Sequence, residues 1–430
     1  MPLIPPAGFG RRRPADAGSK ASGAGSAGTA AAPAGAAGPV EFTGRRGPLF
    51  KRLVKNAVFN LLTLWIYRFW AKTWIRRYFW NNIRINGDPL EYTGLPSELF
   101  IGFLIVLAIL VPLGLAYEGA RMVLESASED ARRMVDIAYF LVLFVLIQVA
   151  FYRMWRYRLT RTTWRGIRFG LDGSTRRFLG LSVAWSFFTV VTLGMAYPWM
   201  RVALMRYRIQ HTRFGQTRFD FAGSGKALFG PFLLAFGLPV VLTVAFLAAN
   251  PDLGGGVVAF VGAGAQPEFP DGEFRAPALL LVWLAVPFLY IWYRVWEFRY
   301  MVGCTGFADV SFASAAGSAR IIWMSVLTVG AMIGLAAAII GLVAVVAGGV
   351  FSTAADSSPA AAFGVPLAVV LVIIVMPILS YLILRYEIVA HVCRTLEISD
   401  MAAFGRVVQS TKDVPATGEG LADAFDVGAI

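Results

Sequence analysis

Cysteine and histidine are almost missing from this chain: two of each in 430 residues, Cys304 and Cys393, His211 and His391. Two cysteines cannot build a disulfide framework, and His391-x-Cys393 has no second close pair to complete a tetrahedral metal site. Neither histidine lies near a nucleophile motif, which excludes Ser-His-Asp chemistry. Gly223-Ser224-Gly225-Lys226-Ala227 has the look of a phosphate-binding loop, but Ala227 replaces the required Ser or Thr, so the segment reads as a linker. Charge is scarce too, at 15% of residues. No carboxylate falls near the middle of a long apolar run, which argues against a proton or cation path. Asp136 sits at a run's end, and Glu297 and Glu387 lie beside Arg299 and Arg385, where ion pairs explain them. Asn60 and Gln148 are uncharged polar groups at depth and read as helix-joining contacts. No enzyme, catalytic residue, metal or cofactor is expected.

Apolar residues make up 57% of the chain. Six runs approach the ~20 residues that cross a bilayer: Ser97–Tyr117, Val135–Met154, Ala227–Asn250, Ala276–Val295, Ile321–Val350 and Ala361–Leu384. They fall into three hairpins. The formal charge of +13 would suggest nucleic acid in a soluble protein. Here the arginines flank apolar runs among Trp and Tyr, so anionic membrane lipid is the expected partner and nucleic acid is not. A small-molecule solute is a further expected partner. Residues 1–40 are Ala-, Gly-, Pro- and Ser-rich and are expected to form a disordered cytoplasmic tail. Arg11-Arg12-Arg13 is not followed by an apolar segment, so no cleaved export signal is expected.

Charge sets the expected topology. The loops 68–97, 153–177 and 201–226 carry five, eight and six basic residues, whereas 118–134, 251–275 and 351–360 are balanced, acidic or nearly uncharged. By the positive-inside bias the first set faces the cytoplasm. Two further apolar segments, Leu49–Trp70 and Phe178–Trp199, would break this pattern if they crossed, so each is expected to enter and return on the cytoplasmic side as a re-entrant or interfacial helix pair.

The dipeptide Arg-Tyr occurs five times, each time just past a long apolar stretch: Arg77-Tyr78, Arg156-Tyr157, Arg206-Tyr207, Arg299-Tyr300 and Arg385-Tyr386. Composition predicts about one. A shift of 129 residues aligns Gly44 with Gly173, Thr63-Leu64 with Thr192-Leu193, Trp70 with Trp199, Arg77-Tyr78 with Arg206-Tyr207, and Gly94 with Gly223. The chain therefore reads as parallel internal repeats: unit 1 over 41–170, unit 2 over 171–310, a shortened unit 3 over 311–400, and a flexible tail over 401–430. After the Arg-Tyr pairs come short alternating segments. Residues 83–92 alternate around Asn86-Gly87, 212–221 repeat the pattern, and 163–169 repeat it more briefly, which predicts β-hairpins that pair into one small sheet on the cytoplasmic face. The expected class is an all-α polytopic membrane protein with six spanning helices, two re-entrant or interfacial helix pairs and short hairpins.

With these segments placed, the chain resembles the YjgN-type family of bacterial inner-membrane proteins. The resemblance rests on Phe42-Thr43-Gly44, Phe69-Trp70-Ala71-Lys72-Thr73, Arg77-Tyr78-Phe79-Trp80-Asn81 and Glu91-Tyr92-Thr93-Gly94. In the second unit Leu193-Gly194, Tyr197-Pro198-Trp199 and Phe219-Asp220-Phe221 carry it. It covers roughly residues 41–400, and Trp65 stands where the second unit has Gly194. It implies a bacterial inner-membrane location, with several passes and a cytoplasmic N-terminus read from the charges, and it brings no catalytic residues.

The structural meaning of Arg-Tyr at a membrane boundary is an anchor, with Tyr among the headgroups and Arg reaching phosphate or helix carbonyls. The functional alternative is a collar of Arg77, Tyr78, Arg156, Tyr157, Arg206, Tyr207, Arg299, Tyr300, Arg385 and Tyr386 that gathers anionic headgroups or solutes. The expected function is transport or permeation of an anionic or amphipathic solute, lipid included; the alternative is a non-transporting scaffold that binds anionic lipid and partner proteins.

Overall fold

The computed structural model describes residues 38–249, 276–351 and 358–410. Most of the expected N-terminal tail, residues 250–275 and 352–357, and the C-terminal stretch 411–430 lie outside the described residues. Strand β1 begins at Gly38, within the stretch expected as tail.

Ten short strands close into one antiparallel ring. They are β1 (Gly38–Phe42), β2 (Ile83–Ile85), β3 (Asp88–Tyr92), β4 (Thr162–Trp164), β5 (Ile167–Leu171), β6 (Thr212–Phe214), β7 (Thr217–Phe221), β8 (Thr305–Phe307), β9 (Val310–Ser314) and β10 (Leu396–Ile398). Four hairpins follow one another in chain order, and β1 pairs with β2 on one side and β10 on the other, with Val40 opposite Ile85 and Gly38 opposite Ile398. The turns explain why such short strands hold. Asn86 and Gly87 both have positive φ, as do Arg165 and Gly166, the type I′ geometry that matches strand twist. Alternate residues point inward: Val40, Trp164, Phe214, Phe307, Val310 and Ile398 form a buried cluster, with Ile83, Ile85, Ile167, Phe169 and Phe219 packed against it. The segment after β10 enters this core. Phe404, on the one-turn helix Ala402–Gly405, stacks on Phe307 at 4.8 Å and meets Trp164 edge-on at 5.5 Å. The ring axis is therefore packed with side chains, as small barrels generally are.

The all-α class is corrected by this ring. Its strands are three to five residues long, too brief to compete with the long apolar runs as a sequence signal. Two of them, β1 and β10, lie outside any hairpin and pair only with each other and their neighbours. The hairpins expected over 83–92, 163–169 and 212–221 are present within it, joined by a further one over 305–314.

Helices leave and return to the ring. α1 (Arg46–Leu62) and α2 (Arg68–Asn82) form one pair, α5 (Thr175–Val191) and α6 (Tyr197–His211) another. α3 (Pro96–Val123) and α4 (Glu129–Thr160) form a long hairpin. α7 starts as Gly225–Phe232, passes through a π turn at Leu233–Gly237 and continues as Leu238–Ala249. α8 is Ala276–Gly303 and α9 is Ser318–Phe351. α10 starts as Ser358–Leu379, passes through a π turn at Ser380–Arg385 and ends as Tyr386–Thr395. The expected six spans are corrected to five helices, among the described residues, long and apolar enough to cross a membrane: Pro96–Val123, Glu129–Thr160, Gly225–Ala249, Ser318–Val343 and Ala368–Thr395. The remaining expected span, Ala276–Val295, lies in α8 and is not among these five.

The pairs α1–α2 and α5–α6 share one backbone design. Each first helix has 17 residues, short of a comfortable span. In each turn a threonine hydroxyl accepts the amide four residues on, Thr63 Oγ1 from Tyr67 N and Thr192 Oγ1 from Ala196 N, both at 3.0 Å. Gly194 has φ +90° there, and Trp65 takes the same left-handed region at φ 68°. The bend is thus kept in the first copy in spite of its tryptophan.

Candidate functional site

The Arg-Tyr residues are placed where helices meet strands. Arg77 Nη2 donates to Gly94 O at 2.9 Å, Arg206 Nη2 to Gly223 O at 2.6 Å, and Arg299 Nε to Ser314 O at 3.2 Å. The tyrosines reach the next junction. Tyr78 Oη donates to Arg45 O (2.6 Å), Tyr207 Oη to Ser174 O (2.8 Å), Tyr300 Oη to Ser224 O (3.1 Å) and Tyr386 Oη to Gly44 O (2.7 Å). Tyr157 differs: its hydroxyl donates to Glu98 Oε2 at 2.7 Å, beside the Arg161–Glu98 ion pair. Burial raises the Tyr78 hydroxyl above its ordinary value, so it stays a donor at neutral pH. Close approach at these junctions needs glycine. A Cβ on Gly94 or Gly223 would lie 2.5 Å from the ring of Tyr92 or Phe221. Arg156 is half-buried with an Nε that finds no partner among the described residues, and Arg385 lines a cavity described below.

The polar groups that converge are others. A cavity of about 560 Å³ opens between α4, the α5–α6 pair and α8, lined by Gln148, Trp155, Ser182, Arg201, Arg208, Arg294 and Glu297 among apolar neighbours. Glu297 is only 2% exposed. It accepts from Arg201 Nε at 2.6 Å and pairs with Arg294 one turn earlier on α8. Arg208 lies two turns along α6 from Arg201, over the Trp155 ring at 4.9 Å, with Nη2 3.2 Å from Met205 Sδ. Its Nε is buried without a hydrogen-bond partner, and no carboxylate pairs with it among the described residues. Burial, and then the nearby Arg201, push its pKa down to about 10, which leaves it cationic at pH 7. Three guanidinium groups thus face one carboxylate in a site walled by Phe151, Phe178, Tyr197 and Phe298. Such a site favours an anion carried on an apolar body.

A second cavity, of about 410 Å³, lies between α1, α2 and α10. The 129-residue shift relates the two: Leu53, Ala57, Arg68, Ala71, Lys72 and Ile75 line the second, and Ser182, Ser186, Tyr197, Met200, Arg201 and Leu204 line the first. Sequence reasoning found the repeat but missed both cavities, because Arg201, Arg208 and Arg294 look like ordinary boundary arginines. The signal that could have found them is Arg294-x-x-Glu297, which puts a carboxylate on the α8 face one turn from an arginine. The carboxylates are paired across elements: Glu387 meets Arg46 and Arg320, and Asp172 meets Arg213 at 2.8 Å. The histidines serve the frame, His391 Nε2 accepting from Gly317 N at 2.9 Å and His211 Nδ1 lying 2.7 Å from Tyr207 O.

Apolar helices hung on a packed strand ring, with basic cavities between them, define an integral membrane protein. The chain belongs to the DUF898 family, bacterial proteins of unknown function, whose family model matches residues 37–424. It is also similar to the inner membrane protein YjgN of Salmonella typhimurium strain LT2, 29% identical over 136 residues. That match spans 32% of this chain and 32% of the relative, so the chain covers about a third of the relative's length. No solved structure matches. The relative and the apolar helices together support a bacterial inner-membrane location.

Proposed function

We propose that this inner-membrane protein moves an anionic or amphipathic solute, lipid included, through the bilayer region, and that the cavity between α4, α6 and α8 is where the solute is held. The observation that carries the reading is Arg208, a charged group with no acidic partner among the described residues in an aromatic-walled cavity. An uncompensated charge in such surroundings is costly and persists where a ligand supplies the counter-charge. The packed ring axis supports a lateral path, along the helices, over a central one. In this reading the helices pass through the membrane several times, the ring and the N-terminus face the cytoplasm, and the Arg-Tyr collar holds the frame at the headgroup level while also drawing in anions. The π turns in α7 and α10 support movement, since such turns occur where helices adjust at working sites.

The test is flip-flop of a fluorescent anionic phospholipid in proteoliposomes. Wild-type protein is expected to accelerate it, and Arg208→Ala to remove at least about nine-tenths of the acceleration, on the order of the 1.4 kcal/mol that a tenfold change represents. Lipid retention without any flux sinks the transport reading and favours the scaffold that binds anionic lipid through its basic surface.

A further inference from the structure

We propose that the second cavity, between α1, α2 and α10, binds the sugar headgroup of an uncharged glycolipid through the asparagines of α1. The inference concerns the other copy of the repeat from the solute cavity, and it does not require that anything be transported.

Three observations converge on it. First, the open hydrogen-bonding positions of this cavity lie on neutral amides. Asn56 and Asn60 stand one turn apart on α1, and both line the cavity. Asn56 is 3% exposed, and its Oδ1 and Nδ2 both lack partners among the described residues; Asn60 Oδ1 is buried without one as well. Unpaired buried amides are rare, because each leaves its desolvation uncompensated. The basic residues of the wall, Arg68, Lys72 and Arg385, are each already engaged inside the protein, so they specify no ligand. What the amides lack sets the chemistry. Nδ2 needs an acceptor, and the two Oδ1 atoms need donors. An ionised phosphate or carboxylate donates nothing and an ammonium accepts nothing, whereas a hydroxyl does both, and neighbouring hydroxyls on one ring can serve Asn56 and Asn60 together. Water also does both, but a cavity of about 410 Å³ is far larger than the ~30 Å³ that each of a few waters occupies, and its apolar walls give further waters no partners.

Second, Trp65 lines the cavity at φ 68°, in the left-handed region that the other copy fills with Gly194 at φ +90°. Strain of this kind is retained where the side chain has a use. An indole face beside two amides is a platform for the apolar face of a sugar ring. Third, Leu53, Ile75, Ile373, Ile374 and Ile378 wall the same cavity, which gives acyl chains a surface to lie on and favours a lipid-borne sugar over a free one.

The repeat confines the site to one copy. Trp185 and Thr189 stand 129 residues on from Asn56 and Asn60, and the Thr189 hydroxyl donates to Trp185 O at 2.8 Å. Neither the asparagines nor the turn tryptophan recur there.

The experiment uses the full chain in a detergent without a sugar headgroup, depleted of lipid. Glucosyl diacylglycerol, plain diacylglycerol, phosphatidylglycerol or free glucose is titrated in while adducts are counted by native mass spectrometry. Glucosyl diacylglycerol is expected to be retained best. Asn56→Leu and Trp65→Ala are each expected to weaken its binding about tenfold, the size of one lost hydrogen bond or ring contact. A photoactivatable glucosyl diacylglycerol on the wild-type chain, which needs no folded variant, is expected to label 46–82 and 373–385. Equal retention by the Asn56→Leu chain, or label confined to 175–211 and 294–301, overturns the proposal. So does phosphatidylglycerol or plain diacylglycerol held as tightly as the glycolipid, free glucose retained without lipid, or no adduct at all, which would leave the cavity to water.

Discussion

The α1–α2 and α5–α6 pairs have one backbone and two chemistries. Their turns make the same threonine hydrogen bonds at the same distance, and their cavities share six aligned lining positions. Yet one cavity holds a buried carboxylate clasped by Arg201 and Arg294, and the other holds two asparagines with open hydrogen-bonding atoms. Repetition has fixed the frame; single positions on each copy have set what the frame can hold. A buried charge with partners and a buried amide without them should therefore respond to removal with opposite signs.

Glu297→Gln is expected to give the largest effect. It leaves two guanidinium groups facing each other around a neutral amide, and losing one partner of a buried ion pair costs about 3–5 kcal/mol. Thermal unfolding in detergent should show a clear fall, and an unchanged midpoint would mean that the cluster is solvated. Asn56→Leu is expected to act in the other direction in lipid-depleted protein, because it removes atoms whose desolvation is uncompensated; the gain is about 1–3 kcal/mol. A loss on the same melting assay would show that Asn56 has a partner in solution. The turns come next. Gly194→Ala puts a Cβ at φ +90° and should cost about 1–2 kcal/mol, whereas Trp65→Gly relieves the like strain at φ 68° and should raise the midpoint. Smallest is the control of the comparison: Thr63→Ala and Thr192→Ala should each lose about 1 kcal/mol, and by the same amount, since each breaks equivalent bonds. Unequal losses in denaturant titrations would break the equivalence of the two copies.

The parts of this architecture that were legible in the sequence are those with a local cause. Asn86-Gly87 specifies its hairpin because two adjacent positive φ values need such residues. The five Arg-Tyr pairs announced a repeat, and Phe42-Thr43-Gly44 and Glu91-Tyr92-Thr93-Gly94 marked the family. What stayed hidden has a distant cause. Nothing near Gly38–Phe42 says that Leu396–Ile398 will lie beside it, and nothing near Arg77 says that its guanidinium will hold Gly94 O. Arg208 is concealed in the same way, because the absence of an acidic partner is a property of packing, visible only once α4, α6 and α8 are together.

The seam between β1 and β10 sets an order of events during synthesis. β1 leaves the ribosome early and its partner late, since Pro39 lies opposite Glu397. At roughly 5–20 residues per second the first strand waits on the order of tens of seconds with one edge bare. A nascent chain stalled before Leu396 leaves that edge uncovered, so the ring is closed only when β10 has been made.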